Sequence, residues 1–424
     1  MLKNKFFYGW WMVIASTIMS FVADGSLFFG FTVFFNPIRQ TFGWSAAVMS
    51  IAFSIHRIGM GILSPIVGVL VDRVGPRKLM LFGWTVFGLG FLLISRVNSL
   101  WEFYGAFLVL TVGLSFGFFL VINTTIANWF IKKRSRAYSI ISAGMASSGM
   151  LVPLLALIVE QFGWRTSLVI VAVTLWVVGL PLSLVMRQRP SQHGLLPDGE
   201  TIVAMNESID VSASQQENDS FSPEVNTQDP SFTAREALKT KSFWLLASMS
   251  FFQMIGMGSV WIHIVPYLES IYIPTTVGAF AVSGMTISSL IGRLGLGFLG
   301  DFMNKRYLIA LSFSLQAIGL FLFSVIAVDK IWLIILFLLT YAPGYGAVIS
   351  LTPALQADYY GSKNFGAIAG LILIVSMLGG IASPVVAGWI FDVTGSYRLA
   401  WRIFSLVVVP AVPLILMAKT PGNK

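Results

Sequence analysis

Long apolar stretches recur along the whole chain at nearly regular intervals, and they constrain its fold more than any other feature. A helix rises about 1.5 Å per residue, so about 20 apolar residues cross the hydrocarbon core of a bilayer. Of the 424 residues, 56% are hydrophobic and only 11% are charged. Because a soluble domain carries about 25% charged residues, this composition excludes a soluble globular protein.

The pattern predicts an all-α membrane protein with twelve transmembrane helices in two pseudo-symmetric six-helix bundles. We expect residues 1–186 to form the N-terminal bundle, 187–241 a partly disordered cytoplasmic linker, and 242–424 the C-terminal bundle. The linker is too polar to bury a core of its own. The predicted helices lie near 8–35, 46–71, 78–96, 101–129, 137–160, 165–186, 242–268, 275–300, 306–328, 331–357, 364–390 and 399–418.

The two halves resemble each other in sequence. An offset of 229 residues takes Gly68 to Gly297, Asp72 to Asp301 and many other punctuating residues to a similar residue in the second half. Two parallel six-helix repeats are the arrangement of transporters that work by alternating access. The alternative is that glycine and aspartate recur only because helix ends favour them.

The distribution of the basic residues predicts the topology. Of the 27 Lys and Arg residues, 19 lie at the termini or after even-numbered helices, and six lie on the opposite side. Under the positive-inside rule this places both termini in the cytoplasm. We therefore expect a multi-pass protein of the cytoplasmic (inner) membrane, monomeric in the lipid bilayer, and we interpret the net charge of +9 without a nucleic-acid partner.

The chain offers little material for catalysis or metal binding. It has no cysteine and three histidines, without the spacing of a metal site, so we expect neither a metal nor a cofactor. We find no nucleophile with its base, no paired acids on one helix and no phosphate-binding loop. A membrane-embedded enzyme and a transport-dead sensor are therefore the less favoured hypotheses.

The loop after predicted helix 2 reads GVLVDRVGPRKLM, and GFLGDFMNKR follows predicted helix 8 as a degenerate copy. Both resemble the conserved cytoplasmic loop of the major facilitator superfamily. The resemblance implies a cytoplasmic gate, in which the glycine permits close helix contact and the aspartate meets cations or a helix N-terminus of the other half. The implied gate residues are Gly68, Asp72, Arg73, Arg77, Asp301 and Arg306.

Three further stretches are similar to the monocarboxylate transporter family, including its bacterial members and oxalate:formate antiporters. They read YGWW near the N-terminus, NWFIKKRSRAYSIISAG before and within predicted helix 5, and SSLIGRLGLGFLGD in predicted helix 8. The resemblance implies that Arg293 binds the substrate carboxylate. The chain departs from the family pattern at Phe29, where animal members carry lysine, and at Ser289, where they carry aspartate.

Ionisable residues inside apolar segments indicate function, because a charge at bilayer depth is costly. Arg293 has no acidic residue within a helical turn, which suits bidentate capture of a carboxylate; the alternatives are pairing with Asp24 or with backbone carbonyls. Asp24 and Arg57 lie at equal predicted depth, which predicts an ion pair. The sharper alternative is that Asp24 exchanges a proton during transport.

Four uncharged or weakly basic residues complete the candidate site. Asn123, Tyr341 and Tyr345 can donate hydrogen bonds to a substrate hydroxyl or keto oxygen, and the alternative is packing between helices. His263 titrates in a range that a symporter can use; the alternative is a hydrogen-bonded anchor near the membrane surface.

The leading hypothesis is a secondary active transporter that moves a small lactate- or pyruvate-like monocarboxylate by alternating access with proton symport. One central cation, Arg293, matches one carboxylate. The alternative is an organic-anion exchanger of the oxalate:formate type, which would favour a second cation at the site.

Overall fold

A computed structural model of the chain describes residues 7–44, 46–199 and 232–421, and this part of the chain is built from helices. Eleven stretches in it are long and apolar enough to cross a membrane. The longest covers 52 residues, Arg134–Val185, far more than the roughly 20 that one crossing needs. Gly163, with φ 72° and ψ 160°, breaks it into two helices. The described part of the chain therefore has twelve membrane spans, as the sequence predicts.

We number the spans 1 to 12 along the chain. The first six comprise Tyr8–Ser26 with Phe31–Phe42, Ala46–Val74, Pro76–Arg96, Leu100–Gly117 with Phe119–Trp129, Arg134–Ser147 with the first part of Val152–Val185, and the remainder of Val152–Val185. The second six comprise Lys241–Ser270, Thr275–Ile291 continuing to Leu299, Lys305–Ser324, Leu333–Tyr360, Phe365–Thr394, and Arg398–Val408 with Ala411–Met417.

Local sequence signals explain where several spans begin and end. The Thr240 hydroxyl accepts the N–H of Phe243 and starts span 7. Span 1 ends at Gly43 and span 11 at Gly395, both at φ 68°, a left-handed conformation that favours glycine.

Several spans are interrupted where the sequence predicts continuous helices, among them spans 1, 4 and 8. Span 1 breaks between Ser26 and Phe31, and span 4 breaks at Phe118, whose φ of −131° and ψ of −122° are not helical. Span 8 contains one π-helical turn, Gly292–Leu296. Such turns insert an extra residue into a helix and are frequent at functional sites. Apolar periodicity does not reveal them, because the side chains on both flanks remain apolar.

Two hydrophobic cores divide the molecule into an N-terminal and a C-terminal bundle. One core consists of residues between 12 and 186 with Ala354 added, and the other of residues between 237 and 418. The bundles meet where span 2 packs along span 11 and where span 5 packs against spans 8 and 10. The Ser64 hydroxyl of span 2, for example, donates to the carbonyl of Gly370 in span 11 at 3.0 Å.

The segment between the bundles is only partly described. Residues 200–231, for which the sequence predicts disorder, lie outside the described residues. On one side of them, short 3-10 turns at Pro190–His193 and Pro197–Gly199 pack on the N-terminal bundle. On the other side, the helix Ala234–Leu238 leads into span 7. These two described ends of the predicted linker are therefore structured.

Candidate functional site

Arg293 lies in the π-helical turn of span 8 and is buried between the bundles, with 4% of the side chain exposed. Its Nη1 donates to the backbone oxygen of Ser142 in span 5 at 2.6 Å. Its Nη2 lies 3.5 Å from the hydroxyl of Tyr345 in span 10, and the guanidinium carbon lies 5.5 Å from the centre of that ring. Arg293 therefore reaches across the interface between the two bundles.

One edge of the Arg293 guanidinium is weakly satisfied. Its Nε is buried and has no hydrogen-bond partner among the described residues, and the Nη2 contact to Tyr345 is long. Nε and Nη2 together form the side edge of a guanidinium, which binds a carboxylate through two parallel hydrogen bonds. No described carboxylate lies within ion-pair distance of Arg293, although the charge of Asp24 acts on it.

The predicted ion pair between Asp24 and Arg57 is wrong. Both residues are described, yet the structure forms no salt bridge between them. Arg57 turns to span 11, where its Nη1 lies 3.4 Å from the backbone oxygen of Gly380. Asp24 is coupled electrostatically to Arg293 instead. Equal depth on two helices fixes the height of a side chain but not the direction in which it points, because each residue turns the helix by about 100°.

Asn123 lines a narrow cavity between the bundles, with a volume of about 10 Å³. This is about the space that one water molecule needs. The same cavity is lined by Ser142, whose carbonyl binds Arg293, and by Ser20, whose buried hydroxyl has no partner among the described residues. The sequence analysis did not select Ser20, because nothing distinguishes it from other serines in apolar helices.

The two tyrosines of span 10 differ in their surroundings. The rings of Tyr341 and Tyr345 are parallel with centres 6.3 Å apart. Tyr345 contacts Arg293, whereas the Tyr341 hydroxyl donates to the backbone oxygen of Gly256 in span 7 at 2.9 Å. In this conformation Tyr341 therefore ties two helices together, which agrees with the alternative of packing between helices.

Trp261 of span 7 is a residue that the sequence analysis missed. Its ring centre lies 6.0 Å from that of Tyr345 and 6.1 Å from that of Phe29, which belongs to span 1 of the other bundle. These edge-to-face contacts place an aromatic wall beside Arg293. Its indole nitrogen is buried without a hydrogen bond in the described region. The signal in the sequence is an aromatic residue inside an apolar span, which many other aromatic residues of the chain share.

The contacts of His263 do not involve Arg293. Its Nε2 is 3.2 Å from the backbone oxygen of Pro384, and its ring lies 5.2 Å from that of Tyr397. These contacts agree with the alternative of a hydrogen-bonded anchor.

Asp72 and Asp301 lie at one end of the molecule, which we call the latch face, and each contacts the helix start of the opposite bundle. The Oδ2 of Asp72 accepts the N–H of Ala367 at 3.3 Å, at the start of span 11. The Oδ1 of Asp301 accepts the N–H of Ser135 at 3.0 Å, at the start of span 5, and its Oδ2 pairs with Arg136 at 2.8 Å. Negative charge at a helix N-terminus is stabilising.

The packing near Asp72 agrees with the close helix contact predicted at Gly68. The Cα of Gly68 lies against the backbone of Gly366, and an added Cβ would overlap that backbone. Burial raises the pKa of the Asp301 carboxyl above its ordinary value, while the Ser135 N–H and the charge of Arg136 oppose this shift.

The basic residues predicted for the gate do not cross between the bundles. Arg77 donates to the carbonyl of Met186 at the end of span 6, and Arg306 donates to that of Ala418 at the end of span 12, both at 3.2 Å. Each therefore braces its own bundle, and Arg73 is exposed. The gate role of Arg73, Arg77 and Arg306 therefore stays a prediction.

The ionic contacts across the latch face involve residues that the sequence analysis did not assign to the gate. Asp358 at the end of span 10 pairs with Arg134 at 3.2 Å and with Lys305 at 2.6 Å. We define the latch as Asp72, Asp301, Asp358, Arg134, Arg136 and Lys305. The basic run KKRSR was the available signal, but its partner lies more than two hundred residues away.

Within the described residues, no group of three or more His, Asp or Glu side chains can hold a metal ion. The site is therefore one cation, one coupled carboxylate, uncharged donors and an aromatic wall.

A sequence profile described as Major Facilitator Superfamily matches residues 13–384 and, a second time, residues 246–424. The chain belongs to the Major Facilitator Superfamily. It is therefore a multi-pass membrane transporter and not an enzyme, and the predicted fold is confirmed.

Within this superfamily the chain is similar to monocarboxylate transporters, which confirms the resemblance found in the sequence. It is 24% identical to monocarboxylate transporter 12 of Mus musculus over 97% of this chain and 87% of that protein. It is 25% identical to human monocarboxylate transporter 2 over 96% and 85% of the two chains. It is also 23% identical to the oxalate:formate antiporter of Oxalobacter formigenes over 92% and 87%.

Solved structures agree with this fold. The proton:xylose symporter XylE superposes with a TM-score of 0.76 at 13% identity, covering 97% of this chain and 96% of that one. The human organic anion transporter MFSD10 superposes with a TM-score of 0.69 at 12% identity, covering 95% and 98%. At these identities the likeness concerns the fold alone.

Proposed function

We propose that the chain is a secondary active transporter that moves a small monocarboxylate, of the lactate or pyruvate kind, across the membrane by alternating access with proton symport. The observation that carries this proposal is the weakly satisfied Nε–Nη2 edge of Arg293, buried at the interface of the bundles. A buried guanidinium edge without a strong partner is costly, and a ligand carboxylate satisfies both nitrogens at once. The names of the similar proteins, which include monocarboxylate transporters, support this substrate class.

Charge balance supports proton coupling through Asp24. Arg293 and Asp24 are ionisable side chains of the site whose charges interact, and they compensate each other when both are ionised. A substrate carboxylate adds one negative charge to a buried region, which is unfavourable unless it is neutralised. A proton on Asp24 restores neutrality, so binding of the monoanion and of the proton favour each other. Arg57 does not supply this compensation, because it contacts span 11 instead.

The latch supports the alternating-access part of the proposal. Its ion pairs of Arg134 with Asp358 and of Arg136 with Asp301 join the bundles at the latch face. Substrate can pass to this side only after the latch contacts have separated. The excess of basic residues on this side supports its assignment to the cytoplasm, with both termini there and the protein in the inner membrane.

The test is uptake of labelled L-lactate and pyruvate into proteoliposomes with and without an inward proton gradient. We expect gradient-stimulated uptake that Arg293→Gln abolishes and that Arg293→Lys reduces by at least about tenfold, since a lysine point charge lacks the two-pronged edge. The matched control is Arg57→Lys, which changes the other arginine of the membrane interior in the same way and should leave most of the uptake.

Two results would redirect the proposal. Uptake that proceeds only when the vesicles are preloaded with oxalate, formate or another anion would make the protein an exchanger, as the similarity to the oxalate:formate antiporter suggests. Near-normal uptake by Arg293→Lys would remove Arg293 as the carboxylate ligand.

A further inference from the structure

The first described end of the segment between the bundles folds back onto the N-terminal bundle. A 3-10 turn at Pro190–His193 ends at Gly194, and a second turn covers Pro197–Gly199. Asp198 in the second turn is buried, with 9% of its surface exposed, and has a φ of 60°. Residues other than glycine rarely adopt this left-handed conformation, because it is costly for an L-residue. The contacts of Asp198 must offset that cost.

Those contacts are three hydrogen bonds to one stretch of backbone. The Oδ2 of Asp198 accepts the N–H groups of Ile131 at 2.9 Å and of Lys132 at 2.7 Å, and the Oδ1 accepts the N–H of Lys133 at 3.1 Å. Hydrogen bonds to an ionised carboxylate are roughly twice as strong as those between neutral groups. Asp198 therefore fixes the backbone of the connection between spans 4 and 5.

The next residues along the chain carry the latch to the opposite bundle. Arg134 pairs with Asp358, the N–H of Ser135 binds Asp301, and Arg136 pairs with Asp301. Because these residues continue directly from the backbone that Asp198 holds, a change in the conformation of 131–133 reorients all three latch groups.

The other described end of the segment is fixed in the corresponding place of the second bundle. The backbone oxygen of Phe232 accepts a hydrogen bond from Asn364 Nδ2 at 2.8 Å, and its N–H lies 3.4 Å from the oxygen of Tyr360. The rings of Phe232 and Tyr360 meet edge to face, with centres 5.8 Å apart. In the repeat register, residues 360–364 correspond to 131–135, and they precede the start of span 11 that binds Asp72.

We propose that Asp198 is a positioning residue of the transport cycle, which acts through the connection 131–133 to hold the latch closed. Phe232 acts in the same way on the connection of the other bundle. Each of the two described ends of the segment is thus attached to backbone from which the latch extends. The role of Asp198 in turnover rests on the proposed function. The closed and open states of the latch, however, exist in the protein without substrate.

The absence of cysteine from the chain makes the latch directly measurable. Lys78→Cys and Lys363→Cys introduce spin labels at two exposed positions at the latch face, one on each bundle. Double electron–electron resonance on the protein in lipid nanodiscs without substrate then gives the distribution of distances across this face. We expect a short-distance population from the closed latch and a longer one from the open latch.

Asp198→Asn is the decisive variant. Asparagine tolerates the left-handed conformation, so this change removes the carboxylate charge without adding backbone strain. We expect the ratio of the long-distance to the short-distance population to rise roughly tenfold, the factor that about 1.4 kcal/mol produces. Asp198→Gly relieves the strain, removes all three hydrogen bonds and should raise the ratio at least as much.

Glu236→Gln is the matched control. Glu236 is also an acidic residue of the described segment, but its carboxylate binds only Thr233 in the capping box of its own short helix. The variant loses the same charge and should leave the distance distribution unchanged. Size-exclusion elution and helical circular dichroism establish that each variant is folded. If an Asp198 variant does not fold, Phe232→Ala tests the proposal at the attachment on the other bundle.

Transport kinetics distinguish positioning from general destabilisation. A positioning role changes kcat for uptake while KM stays within about twofold, because the Arg293 site lies elsewhere, and a tenfold change in rate corresponds to about 1.4 kcal/mol. Distance distributions of Asp198→Asn and Asp198→Gly that superpose on that of the parent would overturn the proposal. If the parent itself transports no monocarboxylate, the distance measurement still decides the role of Asp198, and only the proposed function fails.

Discussion

The two bundles are repeats of one another at the latch face but not in the membrane interior. At the latch face each contributes an aspartate that binds the helix start of the other, Asp72 in one direction and Asp301 in the other. In the interior, the 229-residue register takes Arg293 back to Ser64 and takes Asp24 forward to Gln253. Equivalent positions of the two bundles therefore carry the same charge at the latch face, where the bundles close on each other. They carry different residues in the interior, where the ligand is proposed to bind.

This difference has a physical reason. A latch has to open and close the same interface, so equivalent contacts from both halves serve it equally. A small monoanion has one carboxylate and needs one guanidinium, and a second buried cation in the equivalent position would carry an uncompensated charge. Ser64 instead donates to Gly370 and joins spans 2 and 11. The asymmetry of the interior is thus consistent with a single anionic ligand.

The largest effect should come from the interior pair Asp24 and Gln253. We expect Asp24→Asn to reduce gradient-driven uptake by about a hundredfold, since an amide cannot exchange a proton, a loss of about 2.7 kcal/mol at 1.36 kcal/mol per tenfold. Gln253→Met, at the equivalent buried position of the other half, should change the rate by no more than about threefold. Initial rates at several internal and external pH values measure both.

If Asp24→Asn still responds to the proton gradient like the parent, Asp24 does not couple the proton, and the charge-balance argument fails. If Gln253→Met is as damaging as Asp24→Asn, the interior of the two halves is functionally equivalent, and the proposed asymmetry is wrong.

The second effect concerns the two latch aspartates, which are equivalent in position but unequal in contacts. Asp301 has an arginine partner at 2.8 Å in addition to a backbone N–H, whereas the hydrogen bonds to Asp72 come from the backbone. A hydrogen bond from a backbone N–H to an ionised carboxylate contributes about 1.5–3 kcal/mol, and for Asp301 the ion pair with Arg136 adds to this. We expect Asp301→Ala, which removes both contacts and leaves the Ser135 N–H without its acceptor, to raise the open-latch population by roughly ten- to a hundredfold, and Asp72→Ala by less.

The spin-label pair at positions 78 and 363 measures this difference without substrate. An equal response of the two variants would show that the backbone hydrogen bonds dominate, and that the extra ion pair of Asp301 contributes nothing measurable. A larger response of Asp72→Ala would reverse the ranking of the two halves of the latch.

Sequence and structure agree on the spans and on the aspartates that repeat in both halves. They disagree on contacts that depend on the direction in which a side chain points. Apolar runs located the spans, and the register between the halves located both latch aspartates before any coordinates. The pairing of Asp24 with Arg57 failed because depth does not determine which neighbour a side chain faces. The π-helical turn around Arg293 and the pairing of Arg134 with Asp358 arise from packing between distant spans, which no local pattern encodes.

The third effect comes from the glycines next to the two latch aspartates. A Cβ at Gly68 would overlap the backbone of Gly366, whereas a Cβ at Gly297 would meet first the side chain of Ser139. Backbone cannot move aside as a hydroxyl can, and overpacking costs about 1–3 kcal/mol. We expect Gly68→Ala to reduce the closed-latch population by about tenfold and Gly297→Ala by less.

Distance distributions again provide the measurement, with Gly105→Ala as a control, because a Cβ at Gly105 meets open space. A Gly297→Ala variant that opens the latch more than Gly68→Ala would show that the contact between spans 5 and 8 is tighter than that between spans 2 and 11.

The smallest effect is a dependence of the latch on pH, and it tests the half that contains Asp301. Burial raises the pKa of Asp301 in the closed latch, although Ser135, Arg136 and Lys305 oppose this shift. In the open latch this carboxyl is exposed and has its ordinary pKa. The closed state therefore binds the proton more tightly, and this contribution to its stability is present at low pH and is lost as the pH rises through the raised pKa.

We expect the closed population to increase a few-fold as the pH is lowered from neutral toward about 4, near the ordinary pKa of an aspartate. In Asp301→Asn, which cannot titrate, this part of the response should vanish. A parent latch that instead opens on acidification would mean that neutralising the ion pair with Arg136 outweighs the relief of burying an uncharged carboxyl, so that Asp301 stabilises the latch mainly through its charge.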